Sequence, residues 1–135
     1  MSNIFLNEDK VKEYVEQWLK NEKGYKKVDV NYGRKQGIDI KAYAQENIGE
    51  WVIEAKGSGN NKKKYPQNAR YNNYFIGVLG ELLQRMDKKD SKYSIALPLY
   101  HKYERLWKEL PLEAKTRLKL SIIFVNDKGN CELVD

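Results

Sequence analysis

Cysteine and histidine are nearly absent from this chain of 135 residues, where Cys131 and His101 each stand alone. A single thiol excludes a disulfide framework and a cysteine-based zinc site. A single imidazole argues against histidine-ligated metals and a histidine-based hydrolase triad. Long apolar runs are also missing, so no segment reaches the length that crosses a bilayer, and the first residues lack the basic-then-apolar order of a secretory signal. The expectation is a soluble, cytoplasmic protein without a membrane partner, folded as one domain over 1–135 with a core large enough to need no staple.

Acidic side chains are missing from one long stretch. Between residues 55 and 80 there is no Asp or Glu, while Lys56, Lys62, Lys63, Lys64 and Arg70 fall there with Tyr65, Tyr71 and Tyr74 between them. With a net charge of +6 for the whole chain, an anionic polymer is a plausible partner. Lysines on phosphates and aromatic rings on sugars or bases would use such a stretch. A solvated loop is the competing reading.

What is present is organised around Gly37-Ile38-Asp39-Ile40-Lys41-Ala42 and Trp51-Val52-Ile53-Glu54-Ala55-Lys56-Gly57. Strand side chains alternate between faces, so Val52, Glu54 and Lys56 leave one side while Trp51, Ile53 and Ala55 leave the other. Charges in an apolar strand call for a partner, because an unpaired buried charge costs several kcal/mol or a comparable pKa shift. A divalent cation between Asp39 and Glu54, with Lys56 beside it, would supply one, and a few hard oxygen ligands suit magnesium. The alternative is a cross-strand ion pair on a solvated face, which is worth little. The acid-x-lysine pattern recurs at Glu8-Asp9-Lys10 and Asp87-Lys88-Lys89, so the surrounding strand, not the triplet, carries the signal.

Asp39, followed fifteen residues on by Glu54-Ala55-Lys56 in an apolar strand and then by a helix, resembles the catalytic core of the PD-(D/E)XK nuclease superfamily. Ile38 stands where that family often has proline. The resemblance implies a three-layer α/β/α fold around a mixed β-sheet. It also implies a metal-dependent endonuclease that hydrolyses DNA phosphodiester bonds with Mg²⁺, Mn²⁺ substituting. Asp39 and Glu54, with the Ala55 carbonyl, would hold the metal, and Lys56 would orient the attacking water and stabilise the developing charge. In several branches a Glu early in the first helix joins the site, and Glu8 matches that placement; its other reading is an ordinary first-turn acid. A polar residue on the helix after the lysine strand often assists, and Glu81 and Gln84 are the candidates, with Gln84 counted among the catalytic residues. The layout is closest to small resolvase-like or Mrr-like members, which suggests structure-directed or weakly sequence-specific cutting by a homodimer. Rival classes are a non-catalytic nucleic-acid-binding module on the same fold and a small RNA-binding protein using the tyrosine-rich basic stretch.

The rest of the chain reads as alternating elements. Asn7 caps a helix whose apolar stripe is Val11, Tyr14, Val15, Trp18 and Leu19, stopped at Gly24. A strand over 25–32 leads to the turn Gly33-Arg34-Lys35-Gln36-Gly37, where Arg34 and Lys35 are either phosphate ligands or solvated turn charges. Residues 57–67 form a loop with little to bury, and 72–88 a helix whose Gly77 and Gly80 suggest close contact with the sheet. Then follow a central strand over 93–98, a helix from Tyr100 to Leu110, a short helical turn, a buried strand over 118–125 and an edge strand at 131–134.

Overall fold

The computed structural model describes residues 6–33, 36–43, 49–58 and 67–135. Helix α1 spans Glu8–Asn21 and is capped as its sequence indicates, the Asn7 side chain accepting from the Lys10 amide at 2.8 Å. Strands β1 (Lys27–Val30), β2 (Ile40–Tyr43) and β3 (Trp51–Ala55) form an antiparallel meander. Helix α2 (Gln67–Arg85) crosses over to β4 (Lys92–Pro98), which lies parallel to β3. Helices α3 (His101–Glu109) and α4 (Leu112–Leu118) precede β5 (Ser121–Val125), parallel to β4, and β6 (Cys131–Val134) closes the sheet antiparallel. The order β1-β2-β3-β4-β5-β6 puts β4 in the interior and β6 at an edge, as the hydrophobic pattern suggests.

Two cores lie on opposite faces of this six-stranded sheet. On one, Val11, Val15, Trp18 and Leu19 of α1 cover Ile40, Ala42, Trp51, Ile53 and Ala55. On the other, Phe75, Val78 and Leu82 of α2 and Tyr103 and Trp107 of α3 cover Val52, Ile95, Leu97 and Ile122. The fold is a three-layer α/β/α arrangement with a mixed sheet. Alternation along β3 assigns Val52 and Trp51 to different cores, which places Glu54 on the α2 side. The Trp51 indole N–H donates to Ser94 Oγ at 2.9 Å and so satisfies its polar atom inside the core.

Two expectations about glycine and the loop after β3 are overturned. Gly77 and Gly80 do not meet the sheet: a Cβ at either position would have nothing within 4 Å. Gly57 and Ser58 are buried instead of looping freely, with the Ser58 amide donating to Leu6 O at 2.7 Å and the Tyr103 hydroxyl donating to Gly57 O at 3.0 Å. The start of α1 packs so closely on the end of β3 that a Cβ at Gly57 would fall 2.5 Å from Glu8 N and from Leu6 O. This contact brings Glu8 alongside Lys56. Gly57→Ala should therefore cost about 1–3 kcal/mol in denaturant unfolding, whereas Gly77→Ala should stabilise by about 0.5–1 kcal/mol through helix propensity; a neutral Gly57→Ala would show that the contact is loose.

Candidate functional site

The site is built by strand register. Ile40 pairs with Ile53 across the antiparallel β2–β3 ladder, so Asp39, one residue before β2, faces Glu54 near the end of β3. Gly37, with φ of 114°, turns the chain into this position. Each acid then accepts from the other's strand: the Asp39 amide donates to Glu54 Oε2 at 3.0 Å and the Ala55 amide donates to Asp39 Oδ2 at 2.9 Å. Both carboxylates are buried, Glu54 to 1% exposure.

From α2, Glu81 adds a third acid. Oxygens of Asp39, Glu54 and Glu81 lie within 4.8 Å of one another, close enough to share a metal ion. Asp39 and Glu81 line an open cleft of about 430 Å³ together with Glu8, Gly33, Gln36, Gly37, Lys56 and Arg85. Arg85 Nε stands 3.8 Å from Glu54 Oε2, too far for a hydrogen bond, and is buried without a hydrogen-bond partner among the described residues.

Two lysines flank this cluster in different ways. Lys56, whose side chain is 36% exposed, places Nζ 3.6 Å from Glu8 Oε1 and 4.9 Å from the centre of the Tyr74 ring. Lys12, at 1% exposure, is held between Glu8 and Asp39. Sequence reasoning passed over Lys12, although it lies four residues after Glu8 and in line with Val15 and Leu19 on the sheet-facing side of α1. A charged residue inside an apolar stripe was the available signal.

Gln84 and Arg70 are not among the residues that line the cleft, and five further candidates fall outside the described residues. Gln84 is exposed and lines a neighbouring groove with Lys41, Glu50 and Lys88; Glu81, one turn earlier, faces the cluster. Arg70 is buried, with its guanidinium 5.2 Å from the Tyr71 ring centre. Arg34, Lys35, Lys62, Lys63 and Lys64 lie outside the described residues. The Ala55 amide is bound to Asp39.

Burial and crowding set the electrostatics. Desolvation, together with the Asp39 charge and a hydrogen bond shared with Glu81, pushes the Glu54 pKa up to about 8. Desolvation also raises Asp39, against the Ala55 amide and Lys12, which favour its charge. Burial opposes the charge on Lys12, but Asp39 and Glu8 together outweigh it and raise its pKa. The acids at the cleft are thus under-compensated by protein cations, the condition a bound divalent ion would relieve.

No family model matches the chain, and neither does any curated protein. Among solved structures, an XisH family protein from Nostoc punctiforme PCC 73102 aligns over 93% of this chain and 98% of its own, at 14% identity and a TM-score of 0.49. A fdxN element excision controlling factor protein from Anabaena variabilis aligns over 91% of this chain and 96% of its own, at 18% identity and a TM-score of 0.48. Among the described residues, no helix is long and apolar enough to cross a membrane.

Glu54 binds its proton more tightly in the folded chain than in the unfolded one. That proton contributes stability below the ordinary glutamate pKa, and the contribution is lost as pH rises through about 8. The melting temperature of the metal-free protein should accordingly fall between roughly pH 5 and roughly pH 9, and Glu54→Gln, which mimics the protonated carboxyl, should flatten the fall. An equally steep fall in Glu54→Gln would place the titration elsewhere.

Proposed function

We propose that the chain is a Mg²⁺-dependent endonuclease of the PD-(D/E)XK type acting on DNA. The observation that carries this reading is the convergence of Asp39, Glu54 and Glu81 carboxylate oxygens within 4.8 Å at a cleft that Lys56 also lines. All-oxygen donors with an open side fit magnesium, and manganese in its place. Asp39, Glu54 and Glu81 would hold the ion, with the Ala55 carbonyl as a further ligand. A bound ion supplies Lewis acidity, neutralising phosphate charge and making water a better nucleophile.

The protein's own groups do the rest. Lys56 offers a compact cation at the cleft wall, suited to a phosphate oxygen whose negative charge grows in the transition state. Arg85 also lines the cleft, and its guanidinium is a second donor group for a phosphate oxygen. Water adds to phosphorus as the bond to the 3′-oxygen breaks, the water losing a proton and the leaving oxygen gaining one, which gives a 5′-phosphate and a 3′-hydroxyl. Glu8 keeps Lys56 near the metal ligands through their 3.6 Å contact. A homodimer would supply two such sites, one for each strand, and contacts mainly to the phosphate backbone favour branched or weakly specified duplex substrates.

Cleavage of a labelled linear duplex, single strand, four-way junction and supercoiled plasmid tests the reading. Cutting should require Mg²⁺ or Mn²⁺, stop in EDTA, and fall about 100-fold or more in Asp39→Asn, Glu54→Gln and Lys56→Ala. Failure to cut any substrate, with DNA binding indifferent to EDTA and to these substitutions, would replace it with a non-catalytic binding module.

A further inference from the structure

Lys12 is more deeply enclosed than a surface ion pair requires. Its Nζ lies 2.6 Å from Asn31 O, 3.1 Å from Glu8 Oε2, 3.5 Å from Asp39 Oδ1 and 3.9 Å from Asp9 Oδ1, and the side chain is 1% exposed. One carbonyl and three carboxylates form the kind of oxygen set that hard divalent cations prefer. Here an ammonium, a point charge with three donors, occupies it.

Asp39 is shared between two environments. Its Oδ1 faces Lys12, while its Oδ2 accepts from Ala55 and one of its oxygens lies within the cluster with Glu54 and Glu81. Glu8 does not join that cluster. Its Oε2 faces Lys12 and its Oε1 faces Lys56 at 3.6 Å. Among the described residues, the acids around the cleft are therefore divided between Glu54 and Glu81, which no lysine pairs, and Glu8 and Asp9, which Lys12 already neutralises, with Asp39 common to both sets.

We propose that Lys12 is a built-in counter-cation that fills the space between Glu8 and Asp39 where a second divalent ion would otherwise bind, so that this chain takes a single metal, held by Asp39, Glu54 and Glu81. The proposal rests on the metal-dependent reading above and adds to it the stoichiometry and the reason for it. Glu8 is then a positioning residue for the two lysines, not a metal ligand.

The test is Mn²⁺ binding to the full chain, followed by the paramagnetic resonance of the free ion and by calorimetry. Wild type should bind one ion per chain. Glu8→Gln should also bind one, with affinity changed by less than about threefold because the lost charge is screened and paired with lysines. Loss of a direct ligand would weaken binding about tenfold or more. Lys12→Met keeps the stem, removes the charge and should admit a second ion, while circular dichroism confirms that the variant is folded. If Lys12→Met does not fold, wild type and Glu8→Gln decide the matter by themselves. Two ions in wild type, tenfold weakening in Glu8→Gln, or a folded Lys12→Met that still binds one ion would overturn the proposal and leave the nuclease reading standing. A wild type that binds no Mn²⁺ would overturn both.

Discussion

The reciprocal bond between Asp39 and the β3 strand is the constraint on which the site depends. The Asp39 amide donates to Glu54, and the Ala55 amide donates to Asp39. Each buried carboxylate thus satisfies a backbone donor where the meander ends. The two bonds also fix distance, because β2 cannot slip by one residue on β3 without turning Ile40 and Ala42 out of the α1 core. Hydrophobic patterning therefore enforces the spacing of two acids that would otherwise repel.

The balance of charge around that pair follows from the two helices that reach it. Helix α1 brings Glu8 and Lys12 together on its first turns, and the close packing of its start on Gly57 leaves them little freedom. Helix α2 brings Glu81 and Arg85, one turn apart, to the cleft. Arg85 compensates Glu54 only weakly from 3.8 Å, so Glu54 retains its proton up to about pH 8 while Asp39 and Glu8 are served by Lys12. The protein neutralises one side of its acidic cluster and leaves the other short of positive charge.

Much of this was legible in the sequence because it depends on periodicity. Alternation along 51–56 placed Glu54 on the face opposite Trp51, Ile53 and Ala55, and the two cores confirm that division. The element order followed from caps, breakers and apolar runs for the same reason. The choice between Glu81 and Gln84 was not legible, since they lie one turn apart and only the seating of α2 on β3 decides which reaches Asp39. Arg70 looked like a surface cation because its neighbours in sequence are polar; it is buried because α2 begins earlier than its apolar stripe and carries it inward beside Tyr71. Gly77 and Gly80 misled in the opposite sense, small side chains having suggested a contact that the helix turns away from.

The two lysines separate function from architecture on physical grounds. A cation that acts on a substrate has to exchange its partners for the charge that develops during reaction, and this favours one held loosely before the substrate arrives. Lys56 meets that condition: it is partly exposed, has one carboxylate at 3.6 Å and rests over an aromatic ring. Lys12 is enclosed by four oxygens, and withdrawing it would leave Asp39 without its lysine and Glu8 with Lys56 alone. Its charge is committed to holding the acids in place. The acid-x-lysine pattern alone would single out Lys56, but Lys12 is what holds the acids around it close together.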